Sequence, residues 1–511
     1  MDRLKPCLRA ETLVFLVLWL GLMMLGRTAL FRDPGTFWHT RVGQEILETG
    51  TFPSHDEFSF TRRGERWIAY HWLGEVVMAG VYCVLGWDGL LLLLASALAG
   101  LYAWVFVRLK SSGFHPLAAV VLVGLVLAAS VHNWHVRPHM ATLFAMAILY
   151  ALLLDIDAGR MPLNRLAWLI PLFLVWSNVH GGVLGGLTTL GLAAFGWTLA
   201  FPFGLPTPLR SLRDMGLLLL VGIACGLTTI ITPYGTEALR FWLKILSLDL
   251  GAIIQEHGPL RWQEPTGWAV LAVAAVYLLT LAGILPDWPR MTWIIPLFWL
   301  WQAYEHNRHA PLFALVAILA VAEMMPLTRW AGYLKARGSD LFRADVEHPL
   351  DWRAWLVPVG VVLLTLLTQL AGLPLPILGR GWVREDPKHW PVGVLPALQE
   401  LRPDKPPEDA DRFVRVFNDM LFGGYLIFHA PNTQIFIDDR CELYGQEFLT
   451  QYAEAESQRP DQIEAWADQW HFRHVLTRRG SRFEEHLQAH PEKWQKLAED
   501  QAAVLYLRKL P

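Results

Sequence analysis

Charge is scarce in this chain. Only 17% of its 511 residues are Asp, Glu, Lys or Arg, against 54% hydrophobic residues, which excludes an ordinary soluble enzyme and fits a polytopic membrane protein. The net charge of −3 gives none of the basic excess expected of a nucleic-acid-binding protein. Cysteine is scarcer still: Cys7, Cys83, Cys225 and Cys441 show no metal-like spacing, and Cys441 alone lies in the polar C-terminal part, so no disulfide forms within it. No small-residue cleavage site follows the first apolar run, which therefore reads as a retained signal-anchor. No internal repeat is evident, which counts against the inverted-repeat transporters.

What the chain does have is apolar runs of roughly spanning length, at 12–31, 89–108, 115–133, 140–156, 163–179, 182–201, 213–232, 266–285, 291–304, 309–325 and 353–373. Tryptophan is abundant, 25 residues, many near the run ends where an indole suits the headgroup level. Segment 67–86 is apolar enough to span, yet carries His71 and Glu75, which a helix lying in the interface tolerates better. Charge decides between the two. If 67–86 does not span, the positive connections share one side: Arg3, Lys5 and Arg9; Arg108 and Lys110; Arg160 and Arg165; Arg210 and Arg213; Arg290; and the stretch from Arg329 to Arg353. The positive-inside rule then predicts about eleven transmembrane helices with the N-terminus cytoplasmic.

That topology puts every unusual polar cluster on the outer face. Asp33, His39, Asp56, Glu57 and His71 lie in the first outer loop, 32–88, followed by HVRPH (135–139), WSNVHGG (176–182), TPYG with Tyr234, the loop with Glu256 and Glu264, and EHNRH (305–309). Ionisable groups at a membrane are costly, so their convergence points to one shared cavity. Residues 1–375 are read as the transmembrane domain, 376–409 as a Pro-rich linker, and 410–511 as a soluble extracytoplasmic α/β domain. In that domain FVRVFND, YLIFHA, TQIFIDD and VLYLR read as strands, and 447–470 and 481–500 as helices. Gly423-Gly424 reads as a tight turn, and Asp438-Asp439-Arg440 as a strand end with an ion pair.

Individual residues carry more than one reading. Asp33 is either a helix cap or a carboxylate held at the membrane surface as a general base, and Asp56 is a second catalytic candidate or a turn residue. Arg137 and Arg308 suit a substrate phosphate, whose oxygens match a guanidinium fork, or else a lipid headgroup contact or an ion pair with Glu256, Glu264 or Glu305. His39, Glu57, His71, His139, Asn178, His180, Tyr234, Glu256 and His309 are the remaining candidates for substrate or phosphate contact. Acids and imidazoles in one loop can also hold a divalent metal, although their spacing matches no established metal motif.

An acidic first outer loop followed by an apolar surface helix resembles the GT-C superfamily of membrane glycosyltransferases, among them protein O-mannosyltransferases and lipid A aminoarabinose transferases. DPGTFWHT…GTFPSHDEFSFT (33–61), HWLGE (71–75), RPH (137–139), WSNVHGG, TPYG and RHAPLF (308–313) resemble a set of bacterial GT-C-like proteins, as do FNDMLFGGYL and IFIDDRCELYG. The resemblance implies a sugar donor on a polyprenyl phosphate, an unknown glycan, lipid or protein acceptor, and a place in the bacterial inner membrane with the C-terminal domain outside. It implies Asp33 as the acceptor-side acid and Asp56-Glu57 as its loosely matching partner. Where related enzymes carry an acid in the next outer patch, this chain has His135, Arg137 and His139. A transporter or flippase for a lipid-linked solute, and an inactive envelope scaffold, are the competing readings.

Overall fold

The computed structural model describes residues 9–251, 255–342, 352–402 and 413–509. Arg3, Lys5, Cys7 and the junction at 403–412 lie outside them. All eleven expected runs fall on helices: α1 (Ala10–Ala29), the second half of α3 (Trp72–Ser111), α4 (Pro116–Ala128), α5 (Met140–Asp157), α6 (Leu169–Val179), α7 (Val183–Ala200), α8 (Leu212–Leu227), α10 (Pro265–Ile284), α11 (Met291–Glu305), α12 (Ala310–Met324) and α14 (Leu356–Leu370). Eight helical segments among the described residues are long and apolar enough to cross a membrane. The chain is an integral membrane protein.

Outside that set, α2 (Gly35–Thr49) and α9 (Thr236–Ser247) are amphipathic, and α13 (Arg329–Ala336) is short. Helix α3 breaks at Gly86, where φ 66° and ψ −158° are open only to glycine. Its first part, residues 72–85, is about 21 Å long at 1.5 Å per residue, short of a hydrocarbon core of about 30 Å. That part packs on α2, where His39 Nδ1 lies 2.8 Å from Glu75 Oε1.

The polar residues separate to the two ends of the bundle. At one end Arg108 bonds Asp155 and Glu323, each at 3.2 Å, Arg160 Nη1 reaches Glu323 at 2.8 Å, and Lys110 bonds Glu11 at 2.9 Å. Helix α5 runs from this end to His139, and α12 runs from it to His309, so the two polar layers stand a span apart.

The C-terminal part is an α/β domain. β1 (Val414–Asn418), β2 (Thr433–Ile435), β3 (His474–Arg478), β4 (Trp494–Glu499) and β5 (Ala503–Arg508) form a sheet in the order β2-β1-β3-β5-β4, with β1 parallel to β2 and β3. Helices α16 (Gly423–His429), α17 (Cys441–Gln458), α18 (Gln462–Trp470) and α19 (Arg482–Ala489) accompany it, after a short α15 (Leu395–Glu400). YLIFHA, expected as a strand, is α16: residues 423–427 are all buried, and a run buried on every side has no periodicity to separate strand from helix. Within 481–500 only the first half is helical and the second is β4, while β3 was not anticipated.

The first loop, the Pro-rich segment and the C-terminal domain pack on one another. Phe37, Trp38, Val42, Phe60 and Trp67 of the first loop share one core with Phe417, Tyr425, Phe436 and Trp466 of the C-terminal domain. Ser59 extends the sheet beside Ile435, with Phe60 N–H donating to Ile435 O at 3.0 Å and Ile435 N–H to Phe58 O at 3.1 Å. The Pro-rich linker is docked as well. The buried Asp88 carboxylate accepts from the N–H groups of Gly381, Trp382 and Val383 at 2.7–2.9 Å, and Trp390 stacks on Tyr425 at 5.2 Å.

Candidate functional site

The site lies where α2, the 135–139 turn and the C-terminal domain meet. Asp33 precedes α2 and does serve its start: Oδ1 accepts from Gly35 N–H at 2.8 Å. Its other oxygen, Oδ2, accepts from Arg137 Nη1 at 3.0 Å. One oxygen thus serves the helix cap and the other is engaged by Arg137, which leaves neither free as a general base. Gly35 is required here, because a Cβ at this position would lie 2.6 Å from Arg137 Nε and 2.8 Å from Asp33 Oδ1.

A second carboxylate faces the same guanidinium. Asp439 Oδ2 lies 3.8 Å from Arg137 Nη2, near enough for charge attraction but too long for a hydrogen bond. Its Oδ1 accepts from Trp38 Nε1 at 2.8 Å. Side-chain exposures of 11% for Asp33, 22% for Arg137 and 15% for Asp439 leave all three within reach of a ligand. Asp439 was read from sequence only as part of a strand-end ion pair. Nothing in the local sequence sets it apart from Asp438 or Asp56, each of which is also flanked by an acid.

Asp56 and Arg440 are arranged differently. Arg440 Nη1 lies 2.8 Å from Asp56 and Nη2 lies 2.6 Å from Asp438, with the side chains of Arg440, Asp56 and Asp438 fully buried. Asp56 also accepts from the Ser59 hydroxyl at 2.6 Å. It ties the first loop to the C-terminal domain and has no exposure through which to meet substrate. The Glu57 side chain is exposed. Gly423 and Gly424 are no turn but the first residues of α16, and a Cβ on Gly424 would meet Pro34 O at 2.2 Å. That contact seats the domain against the start of α2.

The histidines cluster beside Asp33 and Arg137. His39 Nδ1 lies 2.8 Å from Glu75 Oε1, and the His71 ring lies 5.2 Å from His39 and stacks at 4.9 Å on His180. His180 Nδ1 accepts from Gly182 N–H at 3.0 Å, and His139 Nε2 bonds Asn133 O at 2.9 Å. Burial and the Arg137 charge push His139 down to about 3; burial and Arg308 do the same to His257. Both imidazoles therefore favour the neutral form at neutral pH.

Arg308 Nη1 donates to His257 Nε2 at 3.1 Å, and the Glu256 carboxylate contributes to the field at both arginines. His309 packs edge-on against Trp299 at 5.8 Å. Asn178 is committed elsewhere: it accepts from Trp72 Nε1 at 2.7 Å and donates to Leu174 O and Ile231 O. Tyr234 OH donates to Pro53 O at 2.9 Å and accepts from Ala69 N–H at 3.1 Å, latching the first loop.

The electrostatics of the two acids diverge. Burial works to raise the Asp33 carboxyl, but the opposing influences, led by the charge of Arg137 and joined by its hydrogen bond, together exceed it, and Asp33 is held below the ordinary carboxylate range. Burial drives Asp439 upward; Arg137 opposes this, the charges of Asp33 and Asp438 add to it, and the group is pushed up to about 7. One acid stays ionised and the other exchanges a proton near neutrality, a separation that suits acid–base chemistry.

The architecture defines a class: a helical membrane protein with an α/β domain packed on the polar layer at one end of its helices. Its fold is that of the GT-C membrane glycosyltransferases. The oligosaccharyltransferase of Archaeoglobus fulgidus in its apo form superposes with a TM-score of 0.56 at 12% identity, covering 92% of this chain and 69% of that one. The same enzyme tethered to an acceptor peptide containing the NVT sequon gives 0.52 at 12% identity, covering 98% and 74%. ArnT from Cupriavidus metallidurans bound to undecaprenyl phosphate gives 0.49 at 14% identity over 97% of each chain. Neither a protein-family model nor a curated protein sequence matches the chain.

Proposed function

We propose that this protein is a glycosyltransferase that moves a sugar from a polyprenyl-phosphate donor to an acceptor at the outer face of the bacterial inner membrane. The observation that carries this reading is Arg137 held between Asp33 and Asp439 at an accessible seam between membrane helices and a soluble domain. The shared fold with an oligosaccharyltransferase supports the reaction class. An isoprenoid donor explains why the chemistry belongs in a membrane: its tail stays in the bilayer while its phosphate meets the polar layer.

In this mechanism the acceptor hydroxyl attacks the anomeric carbon as the bond from that carbon to the phosphate oxygen breaks, inverting the centre. The bonding pair leaves with the phosphate. Arg137 Nη2, whose partner Asp439 is too distant for a hydrogen bond, meets that developing charge, with Arg308 as the second cation. Stabilising charge that appears in the transition state is commonly the largest catalytic contribution. The acceptor proton passes to a carboxylate. Asp33 is ionised but spends one oxygen on Arg137 and the other on Gly35, so it orients the acceptor and the guanidinium; Asp439, matched to neutral pH, takes the proton.

The test is product formation by the full chain in detergent from a radiolabelled polyprenyl-phosphate sugar and a panel of acceptors. Transfer that disappears in Asp33→Asn and Asp439→Asn but survives Glu48→Gln supports the reading. Wild-type rates in both Asn variants overturn the assignment, and no transfer by the wild-type chain to any acceptor favours the scaffold.

A further inference from the structure

The motif HWLGE at 71–75 plays no part in the transfer chemistry above. His71 stands immediately before α3 and Glu75 one turn later, with Glu75 N–H donating to His71 O at 3.0 Å. Residues i and i+4 project from the same helix face. Helix α2 brings His39 onto that face. The three side chains each offer one ligand atom, all within 4.8 Å of one another, and they are the one such trio among the described residues.

We infer that His39, His71 and Glu75 form a binding site for a divalent ion of the zinc class, which staples α2 to the start of α3. Two imidazoles and one carboxylate are the donor set of zinc; magnesium and calcium require mostly oxygen ligands. Three protein ligands leave one position of a tetrahedron for water. A second observation points to a ligand. His39 and Glu75 are 0% exposed, and after their mutual hydrogen bond His39 Nε2 and Glu75 Oε2 have no partner. Buried lone pairs left unpaired are costly, and a cation satisfies them.

The local charge points the same way. Asp33, Asp56, Glu75, Asp438, Asp439 and Glu442 crowd this region against the guanidiniums of Arg137 and Arg440 and the Lys244 ammonium, which bonds Glu442 O at 2.7 Å. The Arg137 charge acts on His71 as well and contributes repulsion. A divalent ion bound by Glu75 and two neutral imidazoles brings the cluster toward neutrality. The ion acts as a positioning element. It fixes α2, whose first turn carries Asp33 and Gly35, without touching the reacting sugar.

The experiment needs no knowledge of donor or acceptor. The full chain, purified in detergent and stripped with a chelator, is dialysed against zinc chloride, and bound metal is measured by mass spectrometry; cobalt substitution reports the geometry by its visible absorption. We expect one zinc per chain and cobalt bands of a four-coordinate nitrogen–oxygen site. Magnesium should not compete. Glu75→Gln should weaken zinc by at least about 100-fold, since even residues behind the ligands cost 10–100-fold, whereas His135→Ala should not. A folded wild-type chain that binds no zinc overturns the inference, and so does full stoichiometry in Glu75→Gln. Should that variant misfold, wild-type stoichiometry and the cobalt spectrum decide.

Discussion

Trp38 and Asp439 are 401 positions apart in the chain, yet the indole N–H donates to the carboxylate at 2.8 Å. Through this bond the C-terminal domain delivers an acid to a site whose other members, Asp33 and Arg137, belong to the membrane-facing part. The C-terminal domain is therefore a component of the site, and changes on either side of the seam should be felt in the same assay.

Arg137→Lys keeps the charge but loses the planar fork that reaches toward both acids. Transfer should fall about 100–1000-fold, the scale of losing one transition-state donor, while the thermal unfolding midpoint moves little. Initial-rate measurements on the purified chain, paired with a melting curve, check this.

Gly35→Ala tests the site without altering a charged group. The added Cβ would press within 2.6 Å of Arg137 Nε and 2.8 Å of Asp33 Oδ1, so the guanidinium must move. We expect destabilisation of about 1–3 kcal/mol, as for other overpacked positions, and a loss of turnover larger than that destabilisation explains. Ala substituted at Gly50, where nothing lies within 4 Å but φ is 66°, gives a comparison for backbone strain alone.

Asp56→Asn should be a stability variant. It leaves the Arg440 guanidinium, fully buried, with only Asp438 as counter-charge. Breaking a buried pair of this kind costs about 3–5 kcal/mol. Limited proteolysis should then release the C-terminal domain from the first loop sooner than in wild type, whereas Asp33→Asn, at a partly exposed pair, should not. Equal protease resistance of wild type and Asp56→Asn would show that Asp56 is not the tie.

The pH dependence follows from the two acids. Asp439 must be ionised to accept a proton, so transfer should rise with pH through about 7. Removing the Asp33 charge in Asp33→Asn takes away one of the influences holding Asp439 up, so the Asp439 carboxyl should titrate lower in that variant than in wild type. Stability carries opposite signs at the two positions. Asp439 has a raised value, so its contribution is fully present below the ordinary 3.8 and is lost as pH climbs through about 7. Asp33 has a lowered value, so its contribution is present above 3.8 and is lost as pH falls through its folded value. A pH series of rates and melting points resolves both.

Much of this protein is legible in the order of its residues. Apolar length and the placement of Arg and Lys are local properties, so the eleven helices and the separation of two polar layers follow from the chain itself. So does the membership of Asp33, Arg137, His71 and His180 in one layer. Tertiary structure alone decided which acid meets Arg137. Asp56 and Asp439 are both acids flanked by another acid, and no local pattern distinguishes them; the packing of Gly424 on Pro34 and of Phe60 beside Ile435 does. That packing closes Asp56 into a fully buried pair with Arg440 and leaves Asp439 partly exposed beside Arg137. The same holds for α16, whose burial on every side erased the periodicity that would have marked it as a helix. Helix and span formation depend on neighbours in sequence, whereas the ionisation and reach of a carboxylate depend on neighbours in space.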